Sequence, residues 1–157
     1  MLYILVFCVV LGLDFITKIL AIKNLQPIST IPILKGIFHL TYVENKGAAF
    51  GMFQNARIFL VIAAVLCAIY IVYFLLKSKN KSKLLNMGLV FVLAGAVGNL
   101  LDRIFRGFVV DFLDFRLINF PVFNIADIFV CVGALFIMIF IIFFDEKTKE
   151  EPKNDKA

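Results

Sequence analysis

Four long apolar runs divide this chain, and they constrain its fold more than any other feature of the sequence. An α-helix rises about 1.5 Å per residue, so about 20 residues cross a hydrocarbon core of about 30 Å. Each run has nearly that length, and its continuous apolar character does not fit the alternating pattern of a membrane β-barrel. We therefore predict four transmembrane helices, at about residues 2–22, 58–76, 84–101 and 127–144.

The composition agrees with this prediction. Of the 157 residues, 62% are apolar and 17% are charged. A soluble domain usually carries about 45–50% apolar and about 25% charged residues. This excludes an ordinary soluble globule, a disordered chain and a collagen-like chain, and the length suits one membrane domain over 1–157. The net charge is +5, but the basic residues lie between the apolar runs, so we expect no nucleic-acid partner.

Lysine density predicts the orientation of the helices. The segment Lys77–Lys83 holds four lysines in seven residues, and residues 145–157 hold four more in 13. Four helices place both segments and both termini on one side, which the positive-inside rule assigns to the cytoplasm. The connections 23–57 and 102–126 are then outer loops, and the charged tail is expected to be disordered. The first run is predicted to remain as a helix, because it lacks the basic n-region of a cleaved signal peptide.

The first outer loop is too long for a bare connector and contains a strand pattern. Residues Gly36–Val43 are rich in β-branched and aromatic side chains, which favour a strand that includes the single histidine, His39. A turn signal at 45–47 follows, and Ala48–Phe53 is a candidate second strand. We therefore expect a membrane all-α fold with four transmembrane helices and a small extracytoplasmic β-sheet in this loop.

Cysteines and small residues are assigned to packing. Cys8, Cys67 and Cys131 lie inside apolar runs without a CxxC motif, so we expect them to be buried small hydrophobic side chains. Because the sequence has no His/Cys cluster, it predicts no metal site and no cofactor. On the third helix Ala94 and Gly98 form a small-xxx-small pair, which we assign to packing within one bundle rather than to a dimer face, and we expect a monomer.

Ionisable side chains at membrane depth are costly, so each one is a functional candidate. Asp14 and Lys18 lie four residues apart on the first helix, where they share a face and can pair. A second set shares one face of the third helix and its end: Asn99, Asp102 and Arg103, with Arg106 one turn further.

Two other aspartates lack such neighbours. Asp111 has no Lys or Arg within four residues, and Asp127 has none nearer than Arg116. Two carboxylates within reach of each other share one proton and can hydrolyse a peptide. The ionised one takes a proton from water, and the protonated one binds the scissile carbonyl and then supplies a proton to the leaving nitrogen. Asp127, at the start of the fourth helix, is the better candidate for the ionised partner, because a helix N-terminus favours an anion.

Other interpretations stay open at this point. Asp127 can be an ordinary residue of a helix N-terminus, and Asp102 with Arg103 can be an interfacial ion pair. A proton-coupled transporter or channel also uses membrane carboxylates, although transporter sites usually lie near the midplane within inverted repeats, and no repeat is visible here. A non-catalytic assembly subunit would leave Asp111 and Asp127 without a role.

Five blocks follow one another along the chain: DFITK at 14–18, NKGAAFG at 45–51, GNLLDR at 98–103, GFVVDF at 107–112 and FPVFNIAD at 120–127. Together they resemble the bacterial lipoprotein signal peptidases, the signal peptidase II family, from the first helix to the fourth. The resemblance implies an intramembrane aspartic endopeptidase that uses no metal or cofactor. It implies cleavage of the signal peptide just before a cysteine that carries diacylglycerol, and inhibition by globomycin.

The resemblance also implies roles for individual residues. Its catalytic pair falls on Asp111 and Asp127, the same two that lack neighbouring cations. Asn99 and Arg103 are expected to contact the substrate backbone. The implied partners are diacylglyceryl-prolipoprotein and membrane lipids, in the bacterial cytoplasmic membrane with the active site near its outer face. The residues that would bind or orient substrate, or brace the pair, are Asp14, Lys18, Asn45, Gly47, Asn99, Asp102, Arg103 and Asn124.

Overall fold

Four long helices and one small sheet make up the part of the chain that the computed structural model describes, residues 1–48, 52–77 and 82–144. Each helix is long and apolar enough to cross a membrane, which confirms the prediction of four such helices. The predicted cytoplasmic segments, residues 78–81 and the tail 145–157, lie outside the described residues. The helices are α1 (Leu2–Asn24), α2 (Arg57–Lys77), α3 (Lys83–Phe105) and α4 (Ile125–Phe143).

Two observed helix ends differ from the predicted ones, at positions where side chains form hydrogen bonds or ion pairs. α3 continues to Phe105, four residues beyond the predicted end, because the charged residues of its last turn are paired within the protein. α4 begins at Ile125, after Asn124, whose side chain accepts a hydrogen bond from the backbone of Asp127. The Asp127 side chain in turn accepts one from the Asn124 backbone, which completes a capping box. Asp127 therefore lies in the first turn of α4 rather than at its first residue.

Helix α3 is the central helix of the bundle and packs against α1, α2 and α4. Small residues make this possible, since a Cβ added at Gly88 would lie 2.8 Å from the carbonyl oxygen of Gly133 on α4. A Cβ at Gly98 would overlap the Asp14 carboxylate of α1, and Ala94 is fully buried. The small residues of α3 thus serve packing within the chain, as predicted.

The sheet combines strands from two different helix connections. The strands β1 (Thr30–Leu34) and β2 (Phe38–Asn45) lie between α1 and α2, and β3 (Val109–Phe115) lies between α3 and α4. They form an antiparallel sheet in the order β1-β2-β3. A short 3₁₀ helix, Arg116–Ile118, follows β3.

The predicted sheet was partly right. The expected strand at Gly36–Val43 corresponds to β2, and it contains His39. The expected strand at Ala48–Phe53 is wrong where it can be judged, because Ala48 lies in a bend and Met52 and Phe53 lie in a turn, while residues 49–51 fall outside the described residues. β3 was not predicted, and placing the sheet in the first loop alone was wrong, since the second loop supplies this strand.

The sheet is fixed to the end of α1 by a small apolar core. Val110 and Phe112 of β3 are buried together with Ala21 and Leu25 at the end of α1. Successive side chains of a strand point to opposite faces, so this packing directs the side chain between them, Asp111, away from α1.

The three cysteines are not buried, which corrects the prediction. Cys8, Cys67 and Cys131 lie on exposed faces of their helices. The helices are apolar around most of their circumference, because in a membrane the outward face contacts lipid rather than water. An apolar run therefore does not reveal which of its side chains pack inside the protein.

Two glycines give a matched test of the packing of α1 against α3. Gly98→Ala is expected to lower the melting temperature in detergent, because its Cβ overlaps the buried Asp14 carboxylate, and overpacking costs about 1–3 kcal/mol. Gly12→Ala on α1 is the control, since its added Cβ has no atom within 4 Å. Circular dichroism melting curves measure the difference, and equal melting temperatures for the two variants would contradict the packing described here.

Candidate active site

Two aspartates from separate elements line the same cavity. Asp111 lies on β3 and Asp127 in the first turn of α4, and both line a cavity of about 740 Å³. Most of the remaining wall is apolar and comes from the ends of β2 and β3, the segment before α4 and one face of α4. Among the described residues neither aspartate belongs to an ion pair, which agrees with their lack of nearby cations in sequence.

The Asn124 side chain bridges the two aspartates. Its Nδ2 donates to Asp111 Oδ1 over 2.7 Å, and its Oδ1 accepts from the backbone N–H of Asp127 over 3.0 Å. The backbone N–H of Asn124 donates to Asp127 Oδ2 over 3.1 Å. One fully buried amide therefore sets the position of both carboxyl groups.

The environment of Asp111 favours its protonated form. Burial raises its pKa to about 7, and the negative charge of Asp127 acts in the same direction. Hydrogen bonds from Asn45 Nδ2 to Oδ2, 2.9 Å, and from Asn124 to Oδ1 oppose this rise. A carboxyl group with a pKa near 7 is suited to donate a proton at neutral pH.

Asn99 connects Asp127 to the interior of the bundle. Its Nδ2 donates to Asp127 Oδ1 over 2.8 Å. Its Oδ1 accepts hydrogen bonds from Lys18 Nζ, 2.8 Å, and from Asn124 Nδ2, 3.1 Å. The amide thus accepts on one side and donates to the candidate catalytic carboxylate on the other.

Behind Asn99 lies a cluster of two anions and two cations, in which Asp14, Lys18 and Asp102 are buried and Arg106 is exposed. Lys18 Nζ lies 2.9 Å from Asp14 Oδ2 and 3.1 Å from Asp102 Oδ2, and Arg106 Nε lies 2.9 Å from Asp102 Oδ1. The pairs Asp14–Lys18 and Asp102–Arg106 agree with their spacing of four residues. The structural alternative that paired Asp102 with Arg103 was wrong, because the Arg103 side chain makes its contacts elsewhere.

Backbone groups complete the bonding of this cluster. Asp14 Oδ1 accepts from the N–H of Ala126 over 3.0 Å, and Asp102 Oδ2 accepts from the N–H of Val110 over 3.1 Å. The two carboxylates therefore hold the start of α4 and the start of β3, the elements that carry Asp127 and Asp111.

Arg103 lines the cavity and is tied to the loop after β2. Its Nη2 donates to the carbonyl oxygen of Gly47 over 2.8 Å, and the N–H of Gly47 donates to Asn45 Oδ1 over 2.9 Å. The end of α3 that carries Arg103 is held by Arg57, whose Nε and Nη2 donate to the carbonyls of Arg103 and Ile104 over 2.7 and 2.9 Å. No role for Arg57 was predicted from the sequence, because its partners lie 46 and 47 residues away along the chain.

The structure separates the ten predicted site residues into two groups. Asn45, Asn99, Arg103, Asp111 and Asp127 line the cavity. Two polar side chains of the cavity, Glu44 and Gln54, were not predicted, since neither carried a signal in the sequence. The predicted residues that stand behind this lining and contact it are Asp14, Lys18, Gly47, Asp102 and Asn124.

Asp114, three residues after Asp111 on β3, belongs to a different network. Although partial burial acts to raise its pKa, hydrogen bonds from Thr41 Oγ1, 2.6 Å, and Arg116 Nε, 2.8 Å, outweigh it and lower the pKa below the usual range. Asp114 is thus an ionised structural residue of the sheet. Within the described residues, no group of three His, Cys, Asp or Glu side chains could hold a metal ion.

Comparisons with known proteins agree on one family. Residues 6–143 match the family model described as signal peptidase (SPase) II. A relative from Clostridioides difficile, called lipoprotein signal peptidase, is 46% identical over 95% of this chain and 100% of the relative. A relative with the same description from Enterococcus faecalis is 40% identical over 97% and 94%.

Solved structures support the same relationship. A bacterial membrane enzyme determined by the in meso method at 2.3 Å superimposes with a TM-score of 0.85 and 29% identity, over 96% of this chain and 93% of that chain. A second such enzyme, at 1.9 Å, gives a TM-score of 0.80 and 30% identity over 91% and 93%.

The hydrogen bond from Asn45 generates a prediction about Asp111. Asn45→Leu is expected to raise the pKa of Asp111 above about 7, because the carboxylate loses a donor that favours its ionised form. Infrared or NMR titration of a labelled aspartate carboxyl measures this. Asn24→Leu is the control, since the exposed Asn24 amide donates only to the Leu20 carbonyl in its own helix. An unchanged titration of Asp111 in Asn45→Leu would refute this contact.

Proposed function

Because the chain belongs to the signal peptidase II family, we propose that it is an aspartic endopeptidase that removes the signal peptide of diacylglyceryl-modified prolipoproteins. It cleaves just before the lipid-modified cysteine. The observation that carries the proposal is the placement of Asp111 and Asp127 on one cavity, joined through Asn124 and without an ion-pair partner among the described residues.

The reaction assigns different roles to the two carboxyl groups. Asp127, ionised at the N-terminus of α4, accepts a proton from a water molecule as its oxygen attacks the scissile carbonyl carbon. Asp111, protonated because it is buried, donates a hydrogen bond to the carbonyl oxygen. When the tetrahedral intermediate collapses, the C–N bond breaks and Asp111 supplies its proton to the leaving nitrogen. The proton that Asp127 took from water then restores the pair to its starting state with one shared proton. The products are a peptide carboxylate and a new N-terminal amine on the lipid-bearing cysteine.

The remaining cavity residues suit an extended, apolar substrate. Arg103 and Asn99 lie beside the two aspartates and have polar groups that can bind backbone carbonyls near the scissile bond. The apolar wall from Val109, Phe123 and Ile128 suits the small and apolar side chains of a signal peptide. Because α4 forms part of this wall, the substrate enters laterally from lipid while its acyl chains stay in the bilayer.

The proposal includes a cellular location for the protein. It is a monomeric, multi-pass protein of the bacterial cytoplasmic membrane, surrounded by its lipids, with both termini in the cytoplasm and the active site near the outer face. The density of lysines in Lys77–Lys83 and in the tail supports this orientation. The sheet then covers the cavity on the outer side of the membrane.

A proton-coupled transporter is not favoured. The aspartates of the cavity come from a strand and a helix N-terminus, whereas transporter sites lie on interrupted helices near the midplane. The relatives that match nearly the whole chain are described as peptidases.

Replacing either aspartate by asparagine tests the proposal. Asp111→Asn and Asp127→Asn are each expected to lower kcat by about 10²–10⁴-fold, the contribution of a positioned general acid or base. The assay follows cleavage of a synthetic diacylglyceryl-modified prolipoprotein peptide by purified protein in detergent, with globomycin as the inhibitor. Thermal melting verifies that each variant is folded.

Asp114→Asn is the matched control, because Asp114 lies on the same strand and contacts only the sheet network. It should keep most of the activity. Normal cleavage by Asp111→Asn or Asp127→Asn would refute the catalytic assignment. A proton flux into proteoliposomes that depended on the same two aspartates would favour the transporter.

The rate of cleavage should depend on pH through Asp111. Its protonated form is the one that donates to the carbonyl, so kcat should fall about tenfold per pH unit once the pH exceeds the pKa, which is about 7 in the substrate-free protein. A pH–rate profile of the wild type and of Asp114→Asn measures this limb, which should be the same in both. A rate that stayed constant from pH 6 to 9 would contradict the role of Asp111 as the acid.

A further inference from the structure

Lys18 contacts a residue of the cavity wall but does not line the cavity itself. Its ammonium is buried against three hydrogen-bond acceptors. Nζ contacts Asp14 Oδ2 at 2.9 Å, Asp102 Oδ2 at 3.1 Å and Asn99 Oδ1 at 2.8 Å. An ammonium has three donors and no acceptor, so all of its hydrogen-bonding capacity is used inside the protein. Asn99 lines the cavity whereas Lys18 does not. We propose that Lys18 is a positioning residue that sets the catalytic pair through Asn99 without touching the substrate.

Lys18 determines the orientation of the Asn99 amide. An asparagine side chain can place either its oxygen or its NH₂ group toward a neighbour. Because Lys18 only donates, the Asn99 oxygen must face it. The NH₂ group is then directed to Asp127, where Nδ2 donates to Oδ1 over 2.8 Å. A reversed amide would put an NH₂ group against the ammonium and an oxygen against the carboxylate, and both contacts are repulsive.

Asn124 connects the oriented Asn99 amide to Asp111. Asn124 Nδ2 donates one hydrogen to Asn99 Oδ1, 3.1 Å, and the other to Asp111 Oδ1, 2.7 Å. Its oxygen accepts from the backbone of Asp127. The orientations of both amides between Lys18 and the two carboxyl groups are therefore determined. Because the first donor is charged, it strengthens the chain of hydrogen bonds that follows.

The charge of Lys18 also acts on Asp111. Burial has the largest effect on the pKa of Asp111 and raises it, while the positive charge of Lys18 acts in the opposite direction. Lys18 thus favours the ionised form of Asp111 and opposes part of the rise in its pKa that burial and Asp127 produce. The charged groups that surround this relay from the neighbouring elements are Asp14 on α1, Asp102, Arg103 and Arg106 on α3, and Glu44 on β2.

The inference rests on the proposed peptidase activity, and its test separates the two. Lys18→Met alone would leave two buried carboxylates with one cation, so it is made together with Asp14→Asn, and the double variant is compared with Asp14→Asn alone. In that comparison only the side chain of residue 18 changes, and Asp102 keeps its partner Arg106. Lys23→Met is the control for loss of a lysine from α1, since Lys23 is exposed in the last turn.

The double variant is expected to show a kcat lowered by about 10²-fold relative to Asp14→Asn, as for a misplaced catalytic group. KM should stay within threefold, because Lys18 does not reach the cavity. The pH–rate profile should move to higher pH, since a nearby positive charge that favours ionised carboxylates is lost. Lys18→Arg, which keeps the charge, should keep the profile of the wild type.

The titration of a labelled Asp111 carboxyl, followed without substrate, gives an independent readout. It should move upward in the double variant relative to Asp14→Asn, whether or not the protein cleaves prolipoprotein. If the wild type fails to cleave but this shift is seen, the peptidase proposal fails and the relay stands. An unchanged titration, or a lower kcat with the pH profile unmoved, would overturn the relay and leave Lys18 a structural residue.

Discussion

The burial of a lysine ammonium at membrane depth is the constraint on which the rest of this structure depends. An isolated charge there is costly and persists only when it is paired and fully hydrogen-bonded. Lys18 meets this condition with acceptors from two helices, Asp14 from α1 and both Asp102 and Asn99 from α3. The cluster becomes neutral with Arg106. Breaking such a cluster by removing one member leaves an uncompensated charge, so its geometry is strongly determined.

This cluster does more than join α1 to α3. Its two carboxylates accept hydrogen bonds from the backbone of Ala126 and Val110, at the beginning of the two segments that carry the candidate catalytic aspartates. The positions of Asp127 and Asp111 therefore follow from backbone groups that are held by buried charges. The small residue at Gly98 is required for the same reason, because only a residue without a Cβ leaves room for the Asp14 carboxylate.

The sequence predicted those features that depend on neighbours along the chain. The four helices follow from apolar length, and the pairs Asp14–Lys18 and Asp102–Arg106 follow from a spacing of four residues. It could not predict the contact of Asn45 with Asp111, which joins residues 66 positions apart through strand pairing.

β3 escaped prediction for a related reason. A strand with one solvated face shows alternating apolar and polar residues, but the residues from Val109 to Phe112 are all buried, including the charged Asp111. In the sequence Asp111 was therefore recognisable as an aspartate without a neighbouring cation, but the segment that carries it was not recognisable as a strand. The charge pattern identified the two catalytic candidates, whereas the bonding between them needed the fold.

Burying Asp111 without a cation beside it, unlike the carboxylates of the neutral cluster, lowers the stability of the folded protein at higher pH. The pKa of Asp111 lies near 7 in the folded protein, well above its ordinary value of 3.8, because burial disfavours its charge. Between these two values the folded state holds a proton that the unfolded state has lost, so the stability contributed by this group is complete below about pH 4 and declines as the pH rises toward 7. A shift of this size corresponds to a cost on the order of 4 kcal/mol at higher pH. Asp14 and Asp102 each have a cation beside them, whereas the buried Asp111 has no ion-pair partner among the described residues. The same low-dielectric environment that makes the pairing of Lys18 obligatory thus keeps the proton on Asp111.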